Sequence, residues 1–224
     1  VGRYISPTIF SYRERIQVNE TYISREGLVR LTEQIQKAGE QMLAAGDGHP
    51  TMFEAETALA FLWFVEQKCD IVVLEVGMGG LTDATNVIKN TLVAALTPVS
   101  MDHIGVLGNT LGEIAAQKAG IIKKGCKVVS AAQKPESRIV IEQKAKECGC
   151  PMSFVDTTQI RDRNRGLMKQ SFSYKERTQV EISLAGEYQF ENAALALDVL
   201  DELNKMGYVI SEEAIRKGMR HTIW

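Results

Sequence analysis

Two apolar segments of the sequence each lead into side chains that could bind a metal ion. Glu75 lies near the end of the run Cys69 to Val76, just before the glycine cluster Gly77–Gly80. His103 follows the next apolar run, Leu92 to Val99. Ligands of open parallel sheets bind outside the carboxyl ends of the strands, so the two side chains would be neighbours if their strands are adjacent. A carboxylate and an imidazole placed in this way predict a divalent-cation site.

Each of these two residues also has an ordinary explanation. We expect Glu75 to be buried, and a buried carboxylate needs a cation, a metal or a proton, which a salt bridge to a helix would equally supply. A histidine in a loop is commonly exposed or only hydrogen-bonded. Both alternatives stay open from the pattern alone.

Three further polar segments could be either functional or structural. Lys118 falls in a predicted amphipathic helix, where a lysine is ordinarily solvated. Gln189 and Asn192 stand at the start of another predicted helix, a position typical of capping. The run Arg13 to Arg15 is typical of a solvated charged surface.

Hydrophobic periodicity and turn residues give the elements that must position these side chains. Strands are predicted at Cys69 to Val76, Leu92 to Val99, Lys127 to Ala132 and Met152 to Val155, with helices between and after them. The first of these runs lacks alternation, which predicts a central strand covered on both faces. Thr51-Met-Phe-Glu54 and Thr110-Leu-Gly-Glu113 have the spacing of capping boxes. The pattern predicts an α/β fold with a doubly wound, mostly parallel sheet, and residues 156–184 predict a small antiparallel subsheet.

Composition narrows the function classes. The 224 residues carry 26 Lys plus Arg against 28 Asp plus Glu, a formal net charge of -2, so no global field favours nucleic acid or an anionic membrane. No apolar run approaches the ~20 residues that cross a bilayer. We therefore expect a cytoplasmic protein that binds neither membrane nor nucleic acid. The four cysteines are too few for a disulfide framework, and we expect reduced thiols without a metal or redox role.

Several short motifs occur in an order that resembles the folylpolyglutamate synthases and dihydrofolate synthases of the Mur ligase superfamily. The resemblance spans nearly the whole chain. Its motifs are Ser6-Pro7 with Arg13–Ile16 and Asn19, Phe53-Glu54 with Thr57-Ala58, Leu74–Gly80 with Asp83–Asn86, Asp102-His103 with Leu107-Gly108, Gln117–Ile122, and Gln189 with Glu191–Ala193.

The resemblance implies roles for individual residues. Glu75 and His103 would help to hold Mg²⁺ beside the phosphates of ATP, and Lys118 would be carbamylated and bind a second Mg²⁺. Asn192 and Gln189 would lie near the adenine. The residues implied for the pterin and substrate pocket are Ser6, Pro7, Asp83, Thr85 and Asn86.

The resemblance also implies a reaction. ATP would phosphorylate a carboxylate of folate or dihydropteroate, and the amine of L-glutamate would attack the acyl phosphate to give an amide, ADP and phosphate. Catalysis of this kind is mostly positioning and electrostatics. The enzyme is expected to be a monomer.

One element of these synthases is missing from the 224 residues, which contain no G-x-x-x-x-G-K-[ST] phosphate loop. We therefore expect residues 1–224 to be an incomplete central ATPase domain, without the phosphate loop and the glutamate-ligase domain, and inactive in isolation. Two alternatives stay open: a Mur-type ligase of peptidoglycan precursors, and a non-catalytic binding module.

Overall fold

The computed structural model describes residues 1–223, so Trp224, the last residue of the predicted domain, lies outside the described residues. The chain forms two compact units, Val1–Ile88 and a second that begins at Lys89. Each unit is described by itself, and the prediction that both belong to one incomplete domain stays a prediction.

The first unit is a four-stranded sheet packed against two helices. Its strands are β1 (Gly2–Tyr4), β2 (Ile16–Val18), β3 (Thr21–Tyr22) and β4 (Val72–Leu74), and its helices are α1 (Arg25–Ala44) and α2 (Met52–Glu66). The strand order is β3-β2-β1-β4, and only the β1–β4 pair is parallel. Tyr4, Ile16, Leu31, Leu59 and Phe64 form the centre of the core.

Local hydrogen bonds fix where the two helices begin. Ser24 Oγ accepts from the backbone N–H of Gly27 at 2.9 Å and caps α1. Thr51 and Glu54 form the predicted capping box at the start of α2. A cap of this kind contributes about 1 kcal/mol to helix stability.

The strand before the glycine cluster is shorter and more exposed than its sequence predicts. β4 contains three residues, stands at one end of the strand order, and leaves Val73 58% exposed. The prediction of a central strand covered on both faces is therefore wrong for residues 1–223. Val72 and Leu74 pack against the core, and Val73 points the other way because side chains alternate along a strand.

The second unit contains a parallel sheet with both faces covered. β5 (Val93–Leu96), β6 (Lys127–Ser130) and β7 (Met152–Phe154) pair in that order. Helices α3 (Leu111–Ala119) and α4 (Pro135–Glu147) contribute to a core that includes Ala94, Leu96 and Val128. Val129, on the opposite face of β6, packs into a separate core that includes Phe172 and Phe190. The two faces of β6 therefore belong to different cores.

The opposite core joins the parallel sheet to an antiparallel one. β8 (Ile160–Asn164), β9 (Gln170–Tyr174) and β10 (Arg177–Ile182) pair in the order β10-β9-β8. Helices α5 (Tyr188–Lys205) and α6 (Glu212–Arg220) share this core, where Phe172 and Phe190 are fully buried. The mixed α/β class, with parallel and antiparallel strands, is confirmed. The strands of residues 1–223 form three sheets, with the orders β3-β2-β1-β4, β5-β6-β7 and β10-β9-β8.

None of the helices described within residues 1–223 combines the length and the apolar character needed to span a membrane.

Candidate functional site

The carboxyl ends of β1 and β4 bring two of the predicted site segments together. The two strands run parallel with Tyr4 beside Leu74, and the backbone N–H of Glu75 donates to the Tyr4 carbonyl at 2.9 Å. Two residues after Tyr4, the backbone N–H of Ser6 donates to Oε2 of Glu75 at 2.9 Å. Ser6, Pro7 and Glu75 therefore lie at one edge of the sheet, where open α/β sheets bind ligands.

Glu75 does not have the buried environment that its sequence predicts. Its side chain is exposed beyond the end of β4, where water solvates the carboxylate. The prediction that burial forces a cation or a proton onto Glu75 is therefore wrong. The carboxylate is held by the Ser6 N–H, and Oε1 takes no hydrogen bond from residues 1–223.

The loop that follows Glu75 is fixed by close contacts on two sides. A Cβ added to Gly77 would lie 2.5 Å from Cζ of Phe53 and 3.2 Å from Oδ2 of Asp83, so only glycine fits without movement. Gly79 has φ of 69°, a left-handed conformation that glycine adopts at little cost. The same Asp83 Oδ2 accepts from the backbone N–H of Met78 at 2.9 Å.

Asp83, Thr85 and Asn86 form one closed turn. Asp83 caps the 3-10 turn Ala84–Val87, and its Oδ1 accepts from the backbone N–H of Thr85 at 2.9 Å and from the Thr85 hydroxyl at 2.6 Å. Thr85 is 3% exposed. Nδ2 of Asn86 donates to the Leu81 carbonyl at 3.0 Å. Both carboxylate oxygens of Asp83 thus hold the loop.

A buried polar cluster under this edge was not predicted to be part of a site. Arg15 and Glu56 form an ion pair whose side chains are 13% and 7% exposed. Tyr12 lies beside this pair and is 46% exposed, and its partial burial, followed by the neighbouring Glu56, raises the pKa of its hydroxyl to about 12. The hydroxyl of Tyr4 lies 3.2 Å from the hydroxyl of Thr57 on α2.

The prediction of a solvated charge run at Arg13 to Arg15 is wrong for two of its residues. The Arg15 side chain is 13% exposed and pairs with Glu56, and Glu14 is 8% exposed. Glu14 accepts from the backbone N–H groups of Ile9, Phe10 and Ser11. The only sequence signal was the Ser11-to-Glu14 capping-box spacing, because the partner Glu56 is 41 residues from Arg15.

The second unit holds His103 in an exposed loop. His103 has φ of 51°, and its side chain is 49% exposed. Its Nε2 lies 3.7 Å from Oδ2 of Asp102, and its backbone N–H donates to Oδ1 of the same residue at 2.9 Å. The imidazole is therefore accessible to a ligand from solvent.

Lys118 lies in the last turn of α3 and is half-buried. Within residues 1–223 its amino group has no hydrogen-bonding or ion-pair partner. Lys118 is therefore not fully solvated, as a lysine of an amphipathic helix ordinarily is, and it is also not part of an ion pair among residues 1–223. Its carbamylation stays a prediction.

Gln189 and Asn192 lie in the first turns of α5. Nδ2 of Asn192 donates to Oε1 of Gln189 at 3.1 Å. The N-cap of this helix is Glu187, which makes no side-chain capping bond. The capping interpretation of the pair is therefore wrong, and the two amides, bonded to each other, remain half-buried at the start of the helix.

Within the described part of the chain, no group of three or more His, Cys, Asp or Glu side chains is placed to hold a metal ion. Glu75 belongs to the first unit and His103 to the second. The exposed carboxylate of Glu75 fits the oxygen preference of Mg²⁺, and His103 supplies a nitrogen donor. The shared cation site stays a prediction.

The motif order at these residues agrees with a comparison to protein families. Residues 21–200 match the Mur ligase middle domain. The chain belongs to this family. The Mur ligase match includes α1, α2, the glycine loop, the parallel sheet and most of α5.

Individual relatives of this Mur ligase chain carry folate-related names. It is 38% identical to the dihydrofolate synthase/folylpolyglutamate synthase of Bacillus subtilis and 33% identical to the folylpolyglutamate synthase of Lacticaseibacillus casei. Both alignments cover 100% of this chain and 54% of the relative, so the chain spans about half the length of these curated relatives. A solved structure of a folylpolyglutamate synthase (FPGS), the FPGS–AMPPCP–folate complex, matches with a TM-score of 0.92 and 32% identity. The match covers 100% of this chain and 56% of the FPGS chain.

Proposed function

We propose that the chain is the middle part of an ATP-dependent ligase that joins L-glutamate to folate, to dihydropteroate, or to both. The observation that carries the proposal is the match of the whole chain to a structure described as an FPGS–AMPPCP–folate complex. AMPPCP is an analogue of ATP, so that relative binds both kinds of substrate in one protein. The 38% identity to a dihydrofolate synthase/folylpolyglutamate synthase supports the same substrate class.

The proposed reaction forms one amide bond. An acceptor carboxylate oxygen attacks the γ-phosphorus of ATP, ADP leaves, and an acyl phosphate results. The amine of L-glutamate then attacks the acyl carbon, and phosphate leaves with the electrons of the broken C–O bond. The protein contributes position and electrostatic stabilisation, because the chemistry itself needs no covalent protein intermediate.

In the first unit, the edge formed by β1 and β4 is the proposed acceptor side of the site. Ser6 and Pro7 follow β1, and the hydrogen bond from Ser6 to Glu75 keeps this segment beside the glycine loop. Asp83 would act by holding that loop and the Thr85–Asn86 turn in place.

The half-buried amides of Gln189 and Asn192 are suited to the donor and acceptor edge of adenine.

Bound Mg²⁺ would neutralise charge on the transferred phosphoryl group. Glu75 and His103 are the residues we propose to hold it, with Lys118 as a second site if the amine is carbamylated. The exposed carboxylate of Glu75 and the unpartnered, half-buried amine of Lys118 support these assignments. We also propose that the protein works in the cytoplasm as a monomer.

The acceptor is tested with the full-length protein that contains this chain. Dihydropteroate, a reduced folate monoglutamate and a nucleotide-linked peptidoglycan precursor are each supplied with ATP, Mg²⁺ and L-glutamate, and products are identified by mass spectrometry. We expect one or both pteridine acceptors to gain glutamate. Gain only by the nucleotide-linked precursor would establish the Mur-type alternative, and no product with any acceptor would favour a binding module.

The metal assignment has its own test in the same full-length protein. Glu75→Gln removes a charge from the proposed site, and we expect kcat to fall about 10²-fold with a higher Mg²⁺ requirement. Glu33→Gln, on the exposed face of α1, is the matched control and should change neither quantity. An unchanged Mg²⁺ dependence in Glu75→Gln would remove Glu75 from the metal site.

A further inference from the structure

Three of the four cysteines come together at the amino ends of two neighbouring strands in the second unit. Cys126 precedes β6, and Cys148 and Cys150 precede β7. Val128 of β6 lies beside Met152 of β7, so Cys126 and Cys150 stand two residues before this pair, one ahead of each strand. Their Sγ atoms are 3.6 Å apart.

We propose that Cys126 and Cys150 form a peroxide-sensitive dithiol that closes reversibly to a disulfide. The proposal goes beyond the proposed ligase function and does not depend on it. It also revises the sequence-based expectation that these thiols have no redox role.

The geometry allows the bond with a small movement. A disulfide has an S–S length of about 2.05 Å, so the sulfurs must approach by about 1.5 Å, which side-chain rotation can supply. Neighbouring strands lie about 4.8 Å apart, within the Cα separation that disulfides span. The Cys150 thiol donates to the Lys123 carbonyl at 3.0 Å and would give up this bond when the disulfide forms. The Cys148 thiol donates to the Ile122 carbonyl at 3.6 Å.

A shared metal ion is the other common use of clustered thiols. Residues 1–223 contain no set of three or more metal-ligating side chains in suitable positions. The close sulfur pair is therefore better explained as a dithiol.

The two thiols have different environments, which suits different roles. Cys126 is 3% exposed, and burial raises the pKa of its thiol to about 11, which makes it a poor first target for an oxidant. Cys150 is half-buried and lines a surface groove with Arg138, Lys146, Met152 and Phe154. A small oxidant can reach Cys150 through this groove, whereas Cys126 is buried and does not line it.

The proposed chemistry balances with a peroxide as oxidant. The thiolate of Cys150 attacks one peroxide oxygen, the O–O bond breaks, and Cys150 becomes a sulfenic acid while the second oxygen leaves as an alcohol or water. The sulfur of Cys126 then attacks the Cys150 sulfur, the S–O bond breaks, and water leaves with the Cys126 proton. Two thiols are oxidised by two electrons, and one peroxide is reduced.

The bridge would close a loop of 25 residues, from Cys126 to Cys150, that contains all of α4. Closing a loop reduces the freedom of the unfolded chain and stabilises the folded form. The bridged ends lie at the amino ends of β6 and β7. The dithiol would therefore change the stability of the second unit rather than occupy the carboxyl edge of its sheet.

The test uses the full-length protein treated with hydrogen peroxide, alkylated, digested and mapped by mass spectrometry. We expect Cys126 and Cys150 to lose their alkylation together, with a linked peptide that a dithiol reductant releases. Oxidation should raise the thermal midpoint of the second unit by about 5–10 °C.

Single variants separate the two roles. Cys126→Ser should accumulate a sulfenic acid at Cys150 that a cyclic diketone traps, and Cys150→Ser should give neither the trapped adduct nor the thermal shift. Cys69→Ser, in the first unit, is the matched control and should oxidise like the wild type. A Cys148–Cys150 bridge, or full alkylation of Cys126 and Cys150 after oxidation, would overturn the proposal.

Discussion

Asp83 and Asp156 make the same local cap at two places in the chain. Each carboxylate accepts from the backbone N–H and from the hydroxyl of the threonine two residues later, Thr85 or Thr158. Only Asp83 also holds the backbone of the glycine loop, through Met78. This difference separates a capping role from a role in shaping the proposed site.

We predict that Asp83→Ala and Asp156→Ala each lower the free energy of unfolding by about 1 kcal/mol, because each removes a cap. Only Asp83→Ala should accelerate amide hydrogen exchange at Met78. Exchange measured by NMR or mass spectrometry distinguishes the two variants. Equal exchange rates at Met78 in the two variants would contradict the hydrogen bond from the Met78 N–H to Asp83.

The fit of Gly77 against Phe53 gives a second prediction. Gly77→Ala should destabilise the protein by about 1–3 kcal/mol because the added methyl group overlaps the ring. Gly48→Ala, where no atom lies within 4 Å of the added Cβ, should change stability by less than about 0.5 kcal/mol.

Denaturant unfolding of the double variant Gly77→Ala with Phe53→Leu isolates the contact. A smaller side chain relieves the overlap, so the double variant should be less destabilised than the sum of its single variants. Strictly additive effects would show that the ring does not limit this position.

Residue-level prediction from sequence worked where the partners are close in sequence. Thr51 and Glu54 are three residues apart, and their capping box was predicted and is present. Arg15 and Glu56 are not, and Arg15 was wrongly assigned to the solvated surface. The predicted burial of Glu75 was wrong for a related reason, because its exposure depends on where β4 ends relative to β1.

At the scale of elements, the segment between β1 and β2 is organised by Glu14. Backbone N–H groups donate hydrogen bonds to the Glu14 carboxylate and hold its pKa below the usual value of 4.5. The bond from Ile9 makes the largest contribution. The stabilisation is therefore fully present above about pH 4.5 and is lost as the pH falls through the lowered folded-state pKa.

We predict that Glu14→Gln is less stable than the wild type at pH 7 and that the difference shrinks as the pH falls from 5 to 3. Urea unfolding at a series of pH values measures it. Glu33→Gln, exposed on α1, should follow the wild type throughout. A difference between Glu14→Gln and the wild type that does not vary with pH would contradict the assigned bonds.

The secondary structure was easier to predict than the sheet arrangement. The runs Lys127 to Ala132 and Met152 to Val155 were predicted as strands, and β6 and β7 lie within them. Which strands pair is a non-local property, and β4 and β5 fall in different sheets among residues 1–223. The three-stranded antiparallel sheet was predicted only as a small subsheet, because the pattern of a short alternating segment does not show which strand it pairs with.

At the scale of the whole molecule, the family follows from the order of motifs over the full chain. No single residue type or composition value identified it. The close balance of charges argued against a general polyanion-binding role but could not indicate a ligase. The Mur ligase middle domain match shows the family, and the relatives with folate-related names support the proposed substrate class. The chain spans 54% of the Bacillus subtilis relative.

The most direct test is ADP formation that requires both the folate acceptor and L-glutamate, measured for the full-length protein and for residues 1–224 alone. We predict one ADP per glutamate joined in the full-length protein. We expect no turnover by residues 1–224, which contain no phosphate-loop motif. Full-length protein that forms no ADP in response to any pteridine acceptor, or a 224-residue chain that turns over at a comparable rate, would contradict the proposed function.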